Sequence, residues 1–152
     1  MSLSPTIRIQ HQDFDIGAET ALMRQLGNDT GAIVTFSGLV REFQDEQPIK
    51  ALFLEHYPGM TDKSLHDIAT QAAARWPLSG ITVIHRIGEL KPGEQIVFVA
   101  VSSAHRGAAF AAGEFLMDYL KTRAPFWKKC LLADGSHWVA AKDSDQAASE
   151  RW

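Results

Sequence analysis

Gln95-Ile96-Val97-Phe98-Val99-Ala100-Val101-Ser102 lacks the polar residue at every second position that a half-solvated strand carries. A strand apolar on both faces belongs in the middle of a sheet covered on each side. Directly after it, from about residue 106 to 123, the spacing becomes helical, with Phe110, Gly113, Met117 and Leu120 on one face. Pro125 disfavours the α conformation at Ala124, so this helix must stop there. Upstream, residues 81–87 read as a second strand, joined to the first through the turn-like Lys91-Pro92-Gly93-Glu94. Downstream, residues 128–133 and 136–140 flank Asp134-Gly135, a strong short signal for a type I′ hairpin.

Towards the N-terminus the same reading gives a short strand at 6–10 and a helix over 16–26, with Ile16, Leu22, Met23 and Leu26 on one side. Residues 31–40 form a strand of nearly continuous apolar and β-branched residues that enters a polar loop over 41–50. Leu52, Leu54 and His56 alternate with Phe53, Glu55 and Tyr57 in a strand that ends at the turn pair Pro58-Gly59. A helix follows, with Thr61 as its N-cap and Asp62 in the first turn. Its apolar stripe is Leu65, Ile68, Ala69, Ala72 and Trp76, before Pro77. Strands and helices mix, with hairpins as well as crossovers, so the fold class is α/β in the broad sense, an α+β mixed sheet.

The chain of 152 residues contains no repeat, low-complexity tract or Gly/Ser linker, and a single domain over 1–152 is expected. Its longest apolar runs are too short to span a bilayer and Met1-Ser2-Leu3-Ser4-Pro5 is not a signal peptide, so no membrane association and a cytoplasmic location are expected. The net charge of -3 argues against a nucleic-acid binder, which leaves any anion site local. Cys130 is the only cysteine, and the histidines at 11, 56, 66, 85, 105 and 137 never fall at helical ligand spacing. Neither a metal site nor a cofactor is expected.

The chemistry concentrates in Lys121-Thr122-Arg123-Ala124-Pro125-Phe126-Trp127-Lys128-Lys129, which has four cations and no carboxylate. A helix end and a strand start joined by a rigid proline can aim Lys121 and Lys128 at one point. Phe126 and Trp127 would add a flat apolar wall, and the pocket would suit an anionic planar ligand. Equally, these cations can simply decorate a helix C-terminus while the aromatics serve the core. Ser102-Ser103-Ala104-His105-Arg106, where a buried strand meets a helix, suits a phosphate, although Ser102 or Ser103 can equally serve as an ordinary cap. Arg41, at the mouth of the polar loop, is the third candidate. Cys130 next to Lys129 is either an activated thiolate or a small buried hydrophobe.

Four stretches together carry a resemblance: Leu54-Glu-His-Tyr-Pro-Gly-Met60, Val83-Ile-His-Arg-Ile-Gly-Glu-Leu90, Ser103-Ala-His-Arg106 and Met117-Asp-Tyr-Leu-Lys-Thr-Arg-Ala-Pro-Phe-Trp-Lys128. In that order they resemble the successive blocks of the molybdopterin synthase large, catalytic subunit family, from about Ile33 to Trp152. The resemblance implies an α/β hammerhead fold with an additional antiparallel hairpin region. It also implies a homodimer, and a heterotetramer with two small ubiquitin-like sulfur-carrier subunits. The activity implied is sulfur transfer from the carrier's C-terminal glycine thiocarboxylate to cyclic pyranopterin monophosphate, in molybdenum cofactor biosynthesis.

By the same resemblance, Lys121 and Lys128 are the catalytic residues. The substrate-binding set is Leu39, Val40, Arg41, His105, Arg106, Lys121, Lys128, Lys129 and Cys130, with His105 and Arg106 completing the site across the dimer interface. Leu39 stands where some relatives carry lysine, and Cys130 is no motif residue, which speaks against it as the sulfur donor. Chemistry agrees: two sulfurs must be installed by a chain with one thiol, for which an external thiocarboxylate is the simpler donor, and its cations are then left to bind phosphate and stabilise an oxyanion. The alternative is a noncatalytic module in which the same patch holds a nucleotide or a protein tail.

Overall fold

The computed structural model describes residues 3–44, 46–132, 135–139 and 143–152. In chain order these form β1 (Thr6–Gln10), α1 (Ile16–Met23), β2 (Ala32–Leu39), β3 (Phe43–Gln44), β4 (Gln47–His56), α2 (Met60–Arg75) and β5 (Leu78–Arg86). Then come β6 (Gly88–Leu90), β7 (Gln95–Ser103), α3 (Arg106–Arg123), β8 (Phe126–Leu132), β9 (Gly135–Val139) and α4 (Asp143–Ser149).

The two-faced strand β7 sits inside the sheet β1-β5-β7-β2, antiparallel to both neighbours, while β1 adds parallel to β5. Val97, Val99 and Val101 face a core made with α2 and α3, through Leu65, Ile68 and Ala72 of the first and Ala112, Phe115 and Leu116 of the second. Phe98 and Ala100 face the other way and pack with Ile84 and with Met23 of α1. Both faces are covered, which is why no polar alternation is needed. Each large side chain so buried contributes about 1.5–3 kcal/mol before the entropy of ordering is subtracted.

A second sheet is built around β4, which pairs with β3, β6 and β8, while β9 extends it beyond β8. Its inner face joins Leu52, Leu54 and Cys130 to Val40, Ile49 and Leu90 in an apolar cluster. The chain crosses from the first sheet to the second between β5 and β6, at Gly88, whose φ of 92° falls in the left-handed region that favours glycine. Among the described residues, no helix is long and apolar enough to cross a membrane.

Several local expectations change. Helix α1 ends at Met23; of the expected stripe Met23 is buried and Ile16 packs beside it, whereas Leu22 and Leu26 are 55% and 54% exposed. Residues 41–50 are not one loop: β3 pairs back on the start of β4, and Asp45 lies outside the described residues. Helix α3 has the expected bounds, and of its expected stripe Leu120 is buried and Met117 packs against the core, but the buried face also takes in Ala109, Ala112, Phe115, Leu116 and Tyr119, while Phe110 is 63% exposed. Alanine gives a weak hydropathy signal, yet small side chains allow a helix to lie closest to a sheet.

Neither Ser102 nor Ser103 caps α3; the cap position is His105, with no side-chain cap bond. Ser102 Oγ accepts from Ser79 Oγ at 2.9 Å and Ser103 Oγ donates to the Pro77 carbonyl at 2.7 Å. The hairpin of β8 and β9 pairs as expected, with Leu132 opposite Gly135; Ala133 and Asp134 of its turn lie outside the described residues. Helix α4 carries no signal recognised in the sequence.

Candidate active site

Helix α3 stops at Arg123 because Pro125 holds Ala124 extended, at φ -87° and ψ 128°. The chain then enters β8, which pairs with β4 in the register Leu54↔Lys128 and His56↔Phe126. Alternation along β8 turns Phe126, Lys128 and Cys130 to the inner face and Trp127 and Lys129 to the outer one. A cavity of about 610 Å³ opens where this inner face meets the last turn of α3 and the end of β2. Lys121, Lys128, Arg41, His85, Phe126 and Asp145 all line it.

The cationic cluster changes the acidity of its members. Burial holds Lys128 down at about 8, with the positive charges of Lys121 and Arg41 pushing the same way and Cys130 and Asp145 pulling back. An amine at that value exchanges a proton near neutral pH, which an ordinary lysine does not. His85, 4% exposed, is pushed down to about 4, mainly by burial and further by Lys121, Lys128 and His56. Its Nδ1 lies 2.8 Å from the Arg86 carbonyl, which can only accept, so Nδ1 carries the proton and Nε2 is left as an acceptor. The ring stacks on Phe126 at 3.8 Å between centroids and 17° between planes.

A folded value below the ordinary one means that the fold selects the neutral ring. His85 therefore contributes its full stability above pH 6.5 and loses it as the pH falls towards 4, a total on the order of 3 kcal/mol. Urea unfolding between pH 6.5 and 5 should show stability falling with acid, and His85→Leu should flatten that slope. An unchanged slope in the leucine variant would assign it to other groups.

Leu39, 53% exposed, and Val40, 4% exposed, form the β2 wall of the cavity beside the exposed Arg41. Lys129 and Cys130 do not line it: Lys129 is on the outer face of β8, and Cys130 is fully buried in the apolar cluster of the second sheet. Trp127 likewise faces outward, edge-on to Tyr57, and the aromatic side chains that line the cavity are Phe126, His85 and Phe36. His105 and Arg106 are at the opposite end of α3, about 23 Å from Lys121 at the helical rise per residue. Of the ionisable side chains that line the cavity, His85 and Asp145 were missed in the sequence. His85 could have been noticed as a histidine within a strand of otherwise apolar core positions; Asp145 had no comparable signal.

Comparison with known proteins identifies the family of the chain. A family profile described as MoaE protein matches residues 9–123. The chain is 56% identical to the molybdopterin synthase catalytic subunit of Mesorhizobium japonicum over 152 residues, 99% of this chain and 94% of that one. It is 55% identical to the molybdopterin synthase catalytic subunit of Escherichia coli K12 over 141 residues, 93% of each chain. The solved structure of the molybdopterin biosynthesis MoaE protein from Burkholderia ambifaria superposes with a TM-score of 0.85 at 49% identity, covering 98% of both chains. With blocks, fold and overall length all in agreement, this chain belongs to the MoaE family of molybdopterin synthase catalytic subunits.

Proposed function

We propose that the chain acts in the cytoplasm as one domain, the catalytic subunit of a molybdopterin synthase. It transfers sulfur from the C-terminal thiocarboxylate of a small carrier subunit to cyclic pyranopterin monophosphate. The observation that carries this reading is the convergence of Lys121, Lys128 and Arg41 on one cavity, with Lys128 held at about 8. Each transfer exchanges sulfur for oxygen. The thiocarboxylate sulfur forms a bond to a substrate carbon, a carbon–oxygen bond of the substrate breaks, and water releases the carrier as a carboxylate. No oxidant is consumed, so the work left to this chain is to bind anions, stabilise an oxyanion and move protons.

In this reading Lys121 meets the carrier tail at the reacting centre, Lys128 handles the proton, and Arg41 holds the phosphate between the walls given by Leu39 and Val40. Lys129 and Cys130 contribute backbone rather than side chains. His105 and Arg106 are too far from Lys121 to act in the same cavity and would reach the cavity of a second copy, in a homodimer that carries one sulfur-carrier subunit at each end.

The test supplies purified chain with thiocarboxylated carrier and cyclic pyranopterin monophosphate and measures molybdopterin. Product is expected; its absence would overturn the reading. Cys130→Ala should retain most of this activity, because the sulfur arrives from outside, and should lose about 1 kcal/mol of stability from its buried position. A folded Cys130→Ala protein that no longer turns over would instead place the transferable sulfur on this chain.

A further inference from the structure

Midway between Lys121 and Lys128 lies Ala124-Pro125-Phe126, and a residue remote in sequence grips that peptide. The Thr61 hydroxyl, 0% exposed, donates to the Pro125 carbonyl at 2.9 Å and accepts from the Tyr57 N–H at 2.9 Å. Thr61 is therefore not the N-cap of α2 but a tie between the β4–α2 turn and the α3–β8 junction. Gly59 occupies the cap position at φ 85°, a left-handed conformation that turns the chain sharply enough to place Thr61 there. Proline offers no N–H, so its carbonyl is the one backbone group available for such a tie. The Phe126 N–H closes a tight turn on the Ala124 carbonyl at 2.9 Å, and Phe126 itself is held by the His85 ring on its other side. Thr61 does not line the cavity.

We propose that Thr61 is a positioning residue for the reaction: through Pro125 it sets the separation and direction of Lys121 and Lys128 without touching substrate. The proposal rests on the reading that these two lysines perform the chemistry. Lys121 stands in the last turn of a helix and Lys128 near the start of a strand. Helix ends fray readily. The Pro125 carbonyl is the point where restraint of one bond limits the drift of both lysines, and a misplacement of about 1 Å can cost a hundredfold in rate.

The test compares Thr61→Val, of nearly equal shape but without a hydroxyl, with Thr61→Ser, which keeps both hydrogen bonds. Thr61→Val should fold and bind substrate with little change in KM while kcat falls roughly ten- to a hundredfold, and Thr61→Ser should retain most of the activity. A second readout needs no turnover: the pH dependence of Lys128 acetylation by acetic anhydride, followed by mass spectrometry. The wild-type midpoint is expected near 8, and loosening the tie should move it up towards the ordinary lysine value as water enters and Lys121 drifts away. The other groups that act on Lys128 are Arg41 after β2, Asp145 on α4 and Cys130 on its own strand, and the substitution alters none of them.

A folded Thr61→Val protein with wild-type kcat and an unchanged midpoint overturns the proposal, as does a Thr61→Ser protein as slow as Thr61→Val. If Thr61→Val does not fold, Thr61→Ala, which leaves room for a water, takes its place. Failure of both to fold assigns Thr61 to the fold alone and overturns the proposal. A wild-type protein that labels as expected yet never turns over counts against the sulfur-transfer reading, and the labelling comparison then decides the tie by itself.

Discussion

Lys128→Arg is expected to remain folded and to turn over about a hundredfold more slowly than wild type, a loss of roughly 3 kcal/mol of transition-state stabilisation. The substitution keeps the positive charge but replaces an amine held at about 8 with a guanidinium that stays protonated at every accessible pH. Simple anion binding survives that change and proton transfer does not. The wild-type profile of kcat/KM should therefore show a limb centred near pH 8 that the arginine variant lacks. A rise through that limb identifies the neutral amine as the acting base, and a fall identifies the ammonium as the acid. If Lys121→Arg and Lys128→Arg both turn over at the wild-type rate, the two lysines only hold the ligand.

Stability should move in the opposite direction to activity. Lys128 is held below its ordinary value, so its protonated form is penalised in the fold, fully below pH 8 and progressively less as the pH rises towards 10.5. At pH 7, Lys128→Met removes that penalty and should stabilise the protein by about 1–2 kcal/mol, after allowance for the solvent that reaches the side chain. A methionine variant less stable than wild type would show that the charge is not held at a cost.

Phe115→Ala should have the largest effect on stability, a loss of about 3–5 kcal/mol. Phe115 is 0% exposed on the buried face of α3, with ring centroids at 5.4 Å from Trp76, 4.3 Å from Tyr119 and 5.8 Å from Trp152. The Arg75 guanidinium covers it at 4.6 Å from its centroid. These partners come from α2, from α3 itself and from the end of the chain, so no single neighbour can move to fill the space. For a protein of this size the loss corresponds to a fall in Tm of roughly 6–20 °C, measurable by calorimetry. A shift under about 2 °C would mean that another face of α3 carries the core.

What sequence alone determined here is what local physics encodes. Strand β7 was readable because a strand buried on both faces needs no polar alternation, and α3 because its period changes abruptly after Ser103 and Pro125 forbids its continuation. The basic run and the four family blocks are also properties of adjacent residues: the first suits an anion, and the second, by resemblance, imply sulfur transfer before any contact is known. Tertiary structure decided what depends on residues far apart in the chain. Periodicity gave α3 a stripe that shares Leu120 with its buried face but omits Ala109 and Ala112, which are selected by closeness to the sheet rather than by hydropathy. That Lys128 faces the cavity while Lys129 and Trp127 face outward follows from the pairing of β8 with β4. That Thr61 holds Pro125, 64 residues away, and that His85 stacks under Phe126 follow from the docking of separate elements. The energy of such contacts comes from burial and hydrogen bonding between distant segments, and no local window of sequence contains both partners.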